Sequence, residues 1–313
     1  MVEILVTTTP DSPFVPSISK IDAVSGFRFN TGYNLKGDKK QAVLAFKQAV
    51  GTKDLWVDLK CRELKLTNAV DIVPGNQVLE LNHKVTAKLP AVLYFNEGKK
   101  YVEIDQINDG NKLHVRVPKG RPDFKISFGK GTSFNMPDAM VIDEYLTPRD
   151  VEFVKIARDL DLHKYCLSFV EDTGDIESML RLDPEAEIIA KIESIRGLEF
   201  IKSGYRDFKD RVRLLAARGD MYIELDRPHD ILKALHDIIG ADPNAIGASR
   251  LLLSVVQPGN MPTCADMCDI GFLLKLGYKA FLLGDEVCET EAILKSAIGI
   301  LFAIQQSYDA GNF

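Results

Sequence analysis

Two short stretches, Lys191-Ile192-Glu193 and Ala217-Arg218-Gly219-Asp220, bring together residue types that can do chemistry. If the first closes a β-strand, side-chain alternation puts Lys191 and Glu193 on one side, an ammonium and a carboxylate pointing the same way. Asp220 supplies a second carboxylate, and Gly219 permits a close approach of backbone to a ligand. Two carboxylates with room for waters and substrate oxygens are the usual protein share of a Mg2+ site. A lysine beside such an ion adds charge where an enolate or phosphoryl oxygen develops. Taken singly, each residue reads better as an ordinary salt bridge at a strand end; the combination is what points to chemistry.

Positioning these groups requires strands that end at a common face. Eight short apolar runs, at residues 3–8, 26–30, 55–60, 165–170, 187–193, 212–217, 245–249 and 279–284, alternate with amphipathic stretches such as 39–50, 148–160, 228–239 and 289–308. That rhythm predicts an α/β fold, a (β/α)8 barrel, whose active site lies at the carboxyl ends of its strands. One interval breaks it. Residues 67–135 carry turn signals at Pro74-Gly75, Asn96-Glu97-Gly98, Asn108-Asp109-Gly110 and Lys119-Gly120, with alternating segments at 100–104 and 112–117. We read them as an inserted all-β lid domain between the two parts of the barrel, 1–66 and 136–313. Without the insertion the chain has about the roughly 250 residues typical of such a barrel. Along residues 112–130, Lys112, His114, Arg116, Lys119, Arg121, Lys125 and Lys130 are countered in sequence only by Asp123, and read either as a solvated basic face or as a funnel for nucleotide phosphates.

The 313 residues carry a formal net charge of -6 with pI near 5.5, which argues against a nucleic-acid partner. No apolar run is long enough to span a bilayer, and the first residues lack the basic flank of a signal peptide, so a cytoplasmic protein without a membrane partner is expected. Five scattered cysteines do not form a disulfide framework. Cys264 and Cys268, with Cys288 nearby, could supply thiolates to zinc, but no neighbouring histidine completes a set; buried, reduced side chains are the expectation.

IIAKIES at 188–194, a glycine at Gly197 and AARGDMYIEL at 216–225 together resemble the core motifs of the pyruvate kinase family. GFRFN carries the family's arginine and asparagine as Arg28 and Asn30. VDLKCREL is similar to its third strand, with Asp58, Lys60 and Glu63, and LSFVED to the strand supplying a serine, here Ser168. PTCADMCD and LLGDE echo later turns. The resemblance implies that Glu193 and Asp220 ligate Mg2+ and that the backbone of Ala217, Arg218, Gly219 and Asp220, near Ser168, receives the carboxylate of phosphoenolpyruvate. It places Lys191 and Arg28 against the transferring phosphoryl group, Asn30 and Asp58 in a K+ site, and Ser249, a threonine in the family, in a proton relay at the enolate carbon. Arg28, Lys65 and Tyr33 would lie toward the nucleotide, and the partners would be phosphoenolpyruvate or pyruvate and ADP or ATP.

The departures are specific. Gly32 and Tyr33 replace a serine and a histidine, Lys65 and Cys264 replace arginines, and Arg250 replaces a glutamine, which bears on cation, nucleotide and subunit contacts. The chain stops soon after its eighth helix, so a short form without the family's C-terminal regulatory domain is expected, with assembly as a homodimer left open. The favoured activity is phosphoryl transfer between phosphoenolpyruvate and ADP. The alternatives are a Mg2+-dependent lyase or decarboxylase acting through pyruvate enolate, motivated by Gly32, Tyr33 and Lys65, and a non-catalytic binding relative.

Overall fold

The computed structural model describes residues 2–35, 37–256, 259 and 261–311. Eight parallel strands close into a barrel: β1 (Glu3–Thr7), β2 (Val24–Asn30), β3 (Asp54–Leu59), β4 (Lys164–Leu167), β5 (Glu187–Ile192), β6 (Val212–Ala217), β7 (Ile246–Ala248) and β8 (Ala280–Leu283). Each pairs in parallel with its sequence neighbours, and β8 returns to β1. The eight apolar runs are these eight strands.

The helices that cover them start on side-chain caps. Thr147 and Asp150 form a reciprocal capping box at Pro148–Asp159, as do Asp172 and Asp175 at Thr173–Leu182 and Thr263 and Asp266 at Cys264–Leu276. Ser194 caps Ile195–Ser203 and Thr290 caps Glu291–Asp309. These polar residues directly follow strands or their loops, so each chain reversal is fixed where a strand end must be held. Outward-facing strand residues such as Val57, Tyr165, Ile188 and Leu214 pack under the helices, whereas Leu5, Trp56, Cys166, Ile189, Leu215, Ile246 and Leu282 fill the barrel interior.

Between β3 and β4 stands a separate antiparallel module. Its four-stranded sheet runs Val78–Glu80, Lys112–Val115, Lys100–Asn108, Ala91–Phe95, and three short pairings flank it. The pairing starts at Leu64 and ends at Val141, a few residues outside the expected limits of 67 and 135. The module has its own core, in which Leu79, Leu81, Leu93, Ile104 and Leu113 are fully buried. Asp109 and Gly110 both have positive φ, the geometry a tight two-residue hairpin turn demands.

The two ends of the module meet at one buried carboxylate. Asp150 Oδ1 accepts from the Lys60 amide at 2.9 Å, and Oδ2 accepts from the Cys61 amide at 3.1 Å and from the Thr147 amide and hydroxyl. Where the chain leaves the barrel is thereby tied to where it re-enters. Among the described residues, no helix is long and apolar enough to cross a membrane.

Candidate active site

The carboxyl ends of the strands enclose a cavity of about 150 Å³ lined by Arg28, Lys191, Glu193, Ala217, Asp220 and Ser249, among others. Strand alternation delivers these groups. In β5, Ile189 faces the apolar interior and Lys191 stands two residues further up the same side. Its ammonium donates to Ser168 Oγ at 2.9 Å and lies 3.1 Å from Glu193 Oε1 and 3.9 Å from Asp58 Oδ1. Burial opposes its charge, but Glu193, Asp58 and Glu63 more than offset that, and Lys191 is held firmly protonated.

Glu193 is buried and accepts the Phe169 amide at 2.7 Å. Burial is the largest influence on it and raises its pKa to about 8; Lys191 opposes the shift and Asp220 adds to it. Asp220 is also raised, by burial above all. Two neighbouring carboxyl groups that burial drives toward protonation are a donor set suited to a divalent cation, which would replace the proton. Among the described residues no cluster of three or more potential ligands surrounds them; a two-carboxylate share leaves the remaining positions to water and substrate, as Mg2+ prefers.

Arg28 reaches in from β2, fixed by Asp285 at 2.9 Å and by the buried Asp58 at 3.7 Å. Its Nε is buried without a hydrogen-bond partner, a donor left for a ligand oxygen. Tyr33 donates its hydroxyl to the other oxygen of Asp285. Ser249, at φ +68, ends β7 in the left-handed region, as do Arg250, Phe169 and Cys61 after their strands. A Cβ on Gly219 would stand 2.5 Å from Ser249 Oγ, so the hydroxyl fits only because residue 219 is glycine.

The other expected residues are held by contacts within the protein. The Arg218 side chain turns away from the cavity, donating to Ala248 O, Ser249 O and Asp269, and so clamps the end of β7. Ser168 is fully buried, bonded to Leu59 O and holding Lys191. Lys65 pairs with Glu63 at 3.3 Å. Asn30 Oδ1 accepts from the Gly32 amide, while Asp58 Oδ2 receives the Lys60 ammonium at 2.6 Å. Lys60, Arg28 and Lys191 all lie within 4 Å of Asp58, so three of the chain's own cations already surround it, while its Oδ1 is buried without a hydrogen-bond partner.

Two other sequence expectations need correction. Cys264 and Cys268 are exposed, 3.9 Å apart on the outer face of the first turn of their helix, and not buried. The basic stretch does not face Asp123 alone: Lys112 meets Asp109, Arg116 meets Glu103 and Lys125 meets Asp71, because hairpin pairing brings acids from neighbouring strands. That favours the solvated face. Asp285, Asn135 and Glu224 were missed. Asn135 donates to Asp220 Oδ1 at 3.2 Å and to Glu224 Oε1 at 3.1 Å. The four-residue spacing of Asp220 and Glu224 on a helix was the available signal for Glu224.

The fold is a parallel barrel with an inserted β module, and the strand ends carry an ammonium, a guanidinium and paired carboxyl groups around one cavity. The chain is a distant homologue of the pyruvate kinases over most of its length. It is 25% identical to the pyruvate kinase of Methanocaldococcus jannaschii over 282 residues, 85% of this chain and 60% of that one. Against the pyruvate kinase of Thermotoga maritima it is 24% identical over 318 residues, 91% of this chain and 66% of the other, and against that of Mycobacterium intracellulare 28% over 198 residues, 61% and 40%. The chain thus spans roughly half the length of the relatives it matches. No family model matches it.

Proposed function

We propose that the chain transfers a phosphoryl group between phosphoenolpyruvate and ADP, giving pyruvate and ATP. The observation that carries this reading is the convergence of Arg28, Lys191, Glu193 and Asp220 on one small cavity. Phosphoryl transfer demands in-line positioning and neutralisation of equatorial oxygens more than covalent chemistry. Lys191 and Arg28 bind and neutralise the transferring group, Lys191 held by Ser168 and Arg28 by Asp285 and Asp58. Glu193 and Asp220 would hold Mg2+, which supplies charge neutralisation at the phosphoryl and enolate oxygens when bound. The backbone from Ala217 to Asp220 would orient the substrate carboxylate. Ser249, seated against Gly219, would hand a proton toward the enolate carbon. K+ is not required in this scheme, because Asp58 is already balanced by the chain's own cations.

The test is a coupled assay for pyruvate with phosphoenolpyruvate, ADP and Mg2+; no pyruvate above background would sink the proposal. A second reading, enolate chemistry without nucleotide, is favoured by the Tyr33–Asp285 bridge over Arg28. It predicts Mg2+-dependent exchange of pyruvate methyl protons with solvent in the absence of nucleotide alongside no phosphoryl transfer.

A further inference from the structure

We propose that Asn135 is a positioning residue that couples the seating of the inserted module to the orientation of Asp220, and so to divalent-ion binding. The inference rests on the metal part of the reading above. Asn135 belongs to the module: its backbone exchanges both hydrogen bonds with Tyr94, at 2.8 and 3.0 Å, in the strand Ala91–Phe95. Its side chain is buried against the barrel, and Nδ2 serves Asp220 Oδ1 and Glu224 Oε1 at once. A carboxamide has two N–H groups, so both are spent on one face of the helix Arg218–Glu224.

A second contact seats the module on the same helix. Gly98, at φ +76 in the hairpin after that strand, lies so close to Ile223 that a Cβ would stand 2.9 Å from its Cγ1. The helix that carries the metal carboxylate is therefore also the landing surface of the module. With Oδ1 fastened by Asn135, the second oxygen of Asp220 is left with a fixed direction, and partners that orient a ligand in this way typically govern metal affinity. Glu224 takes the other N–H and sets which way the carboxamide faces. Coupling of this kind is reciprocal: if seating improves the metal site, the metal must steady the module by the same factor.

The experiment measures Mn2+ affinity by the loss of its free-ion electron paramagnetic resonance signal, and trypsin cleavage within the module with and without Mn2+. Mn2+ shares the oxygen-ligand preference of Mg2+. In the parent, Mn2+ slows cleavage. Asn135→Leu weakens Mn2+ binding by about tenfold or more and makes cleavage indifferent to the ion. Glu224→Gln, which keeps an acceptor oxygen for Asn135, retains both properties. Unchanged affinity in Asn135→Leu, or cleavage still slowed by Mn2+ to the parental extent, overturns the coupling alone; such a variant would have lost only a structural bond. A parent that binds no Mn2+ overturns the metal reading and the coupling together.

Discussion

The Lys191 ammonium rests on the Ser168 hydroxyl, 2.9 Å away, and that hydroxyl is itself pinned to the Leu59 carbonyl. The residue directly after β4 thus aims the charge delivered by β5. Removing it frees the lysine without removing its charge. We expect Ser168→Ala to lower kcat about tenfold, from the loss of roughly 1.5 kcal/mol of charge-assisted hydrogen bonding, and Lys191→Met to lower it by about a thousandfold or more. Steady-state kinetics on both variants checks this; a Ser168→Ala effect as large as that of Lys191→Met would mean that the serine touches substrate.

Gly219→Ala should be more damaging than Ser249→Ala. The added methyl must displace the Ser249 hydroxyl and strain a residue already at positive φ, whereas Ser249→Ala merely removes the hydroxyl. Turnover of the two variants, with circular dichroism to confirm folding, ranks them.

Glu193→Gln and Asp220→Asn should retain the barrel and lose Mg2+-dependent stabilisation. In the parent, saturating Mg2+ should raise Tm by mass action on the native state, and in either variant that increment should largely vanish. Thermal denaturation with and without Mg2+ is sufficient; an undiminished increment would place the ion elsewhere.

Replacing K+ by tetramethylammonium at constant ionic strength should leave turnover within about twofold, since Lys60, Arg28 and Lys191 already surround Asp58. A strict need for K+ in the assay would show that the carboxylate accepts a fourth cation.

His163 offers a pH-dependent stability far from the cavity. Its Nδ1 lies 2.8 Å from Asp183, whose hydrogen bond raises the imidazole above its usual 6.5, partly opposed by burial. A raised folded value means that the contribution is complete below the unfolded pKa and fades as pH climbs through the folded one. The side chain is partly exposed, so the effect should be under about 1 kcal/mol. Tm of the parent should converge on that of His163→Gln as pH rises from 6 toward ~8.5; a gap that widens would reverse the sign.

The barrel was legible because its strands are nearly continuous apolar runs, such as Ile188-Ile189-Ala190, and because Lys191 and Glu193 sit one alternation apart. The site's supporting contacts were not. Asn135 is one polar residue at an isolated bridge to Tyr94, and its partners Asp220 and Glu224 come from a helix more than eighty residues away. Arg218 was expected to offer its backbone, and its side chain is taken by Asp269 of the helix Cys264–Leu276, a pairing that local spacing does not encode. The basic stretch looked unpaired because its acids arrive across hairpins, Glu103 opposite Arg116. Type and alternation reveal which side chains can act, whereas pairing between distant segments decides which are free to do so.

The Asp150 knot, in which one carboxylate binds the outgoing turn at Lys60-Cys61 and the incoming cap at Thr147, ties the two ends of the excursion together at the barrel wall. With those ends pinned side by side, lengthening the excursion is a matter of ring-closure entropy, about 0.6 kcal/mol for each doubling of a flexible loop. The junction behaves as a graft site: modules of different size could be exchanged there through evolution, or by protein engineering, while the strand on either side keeps its register.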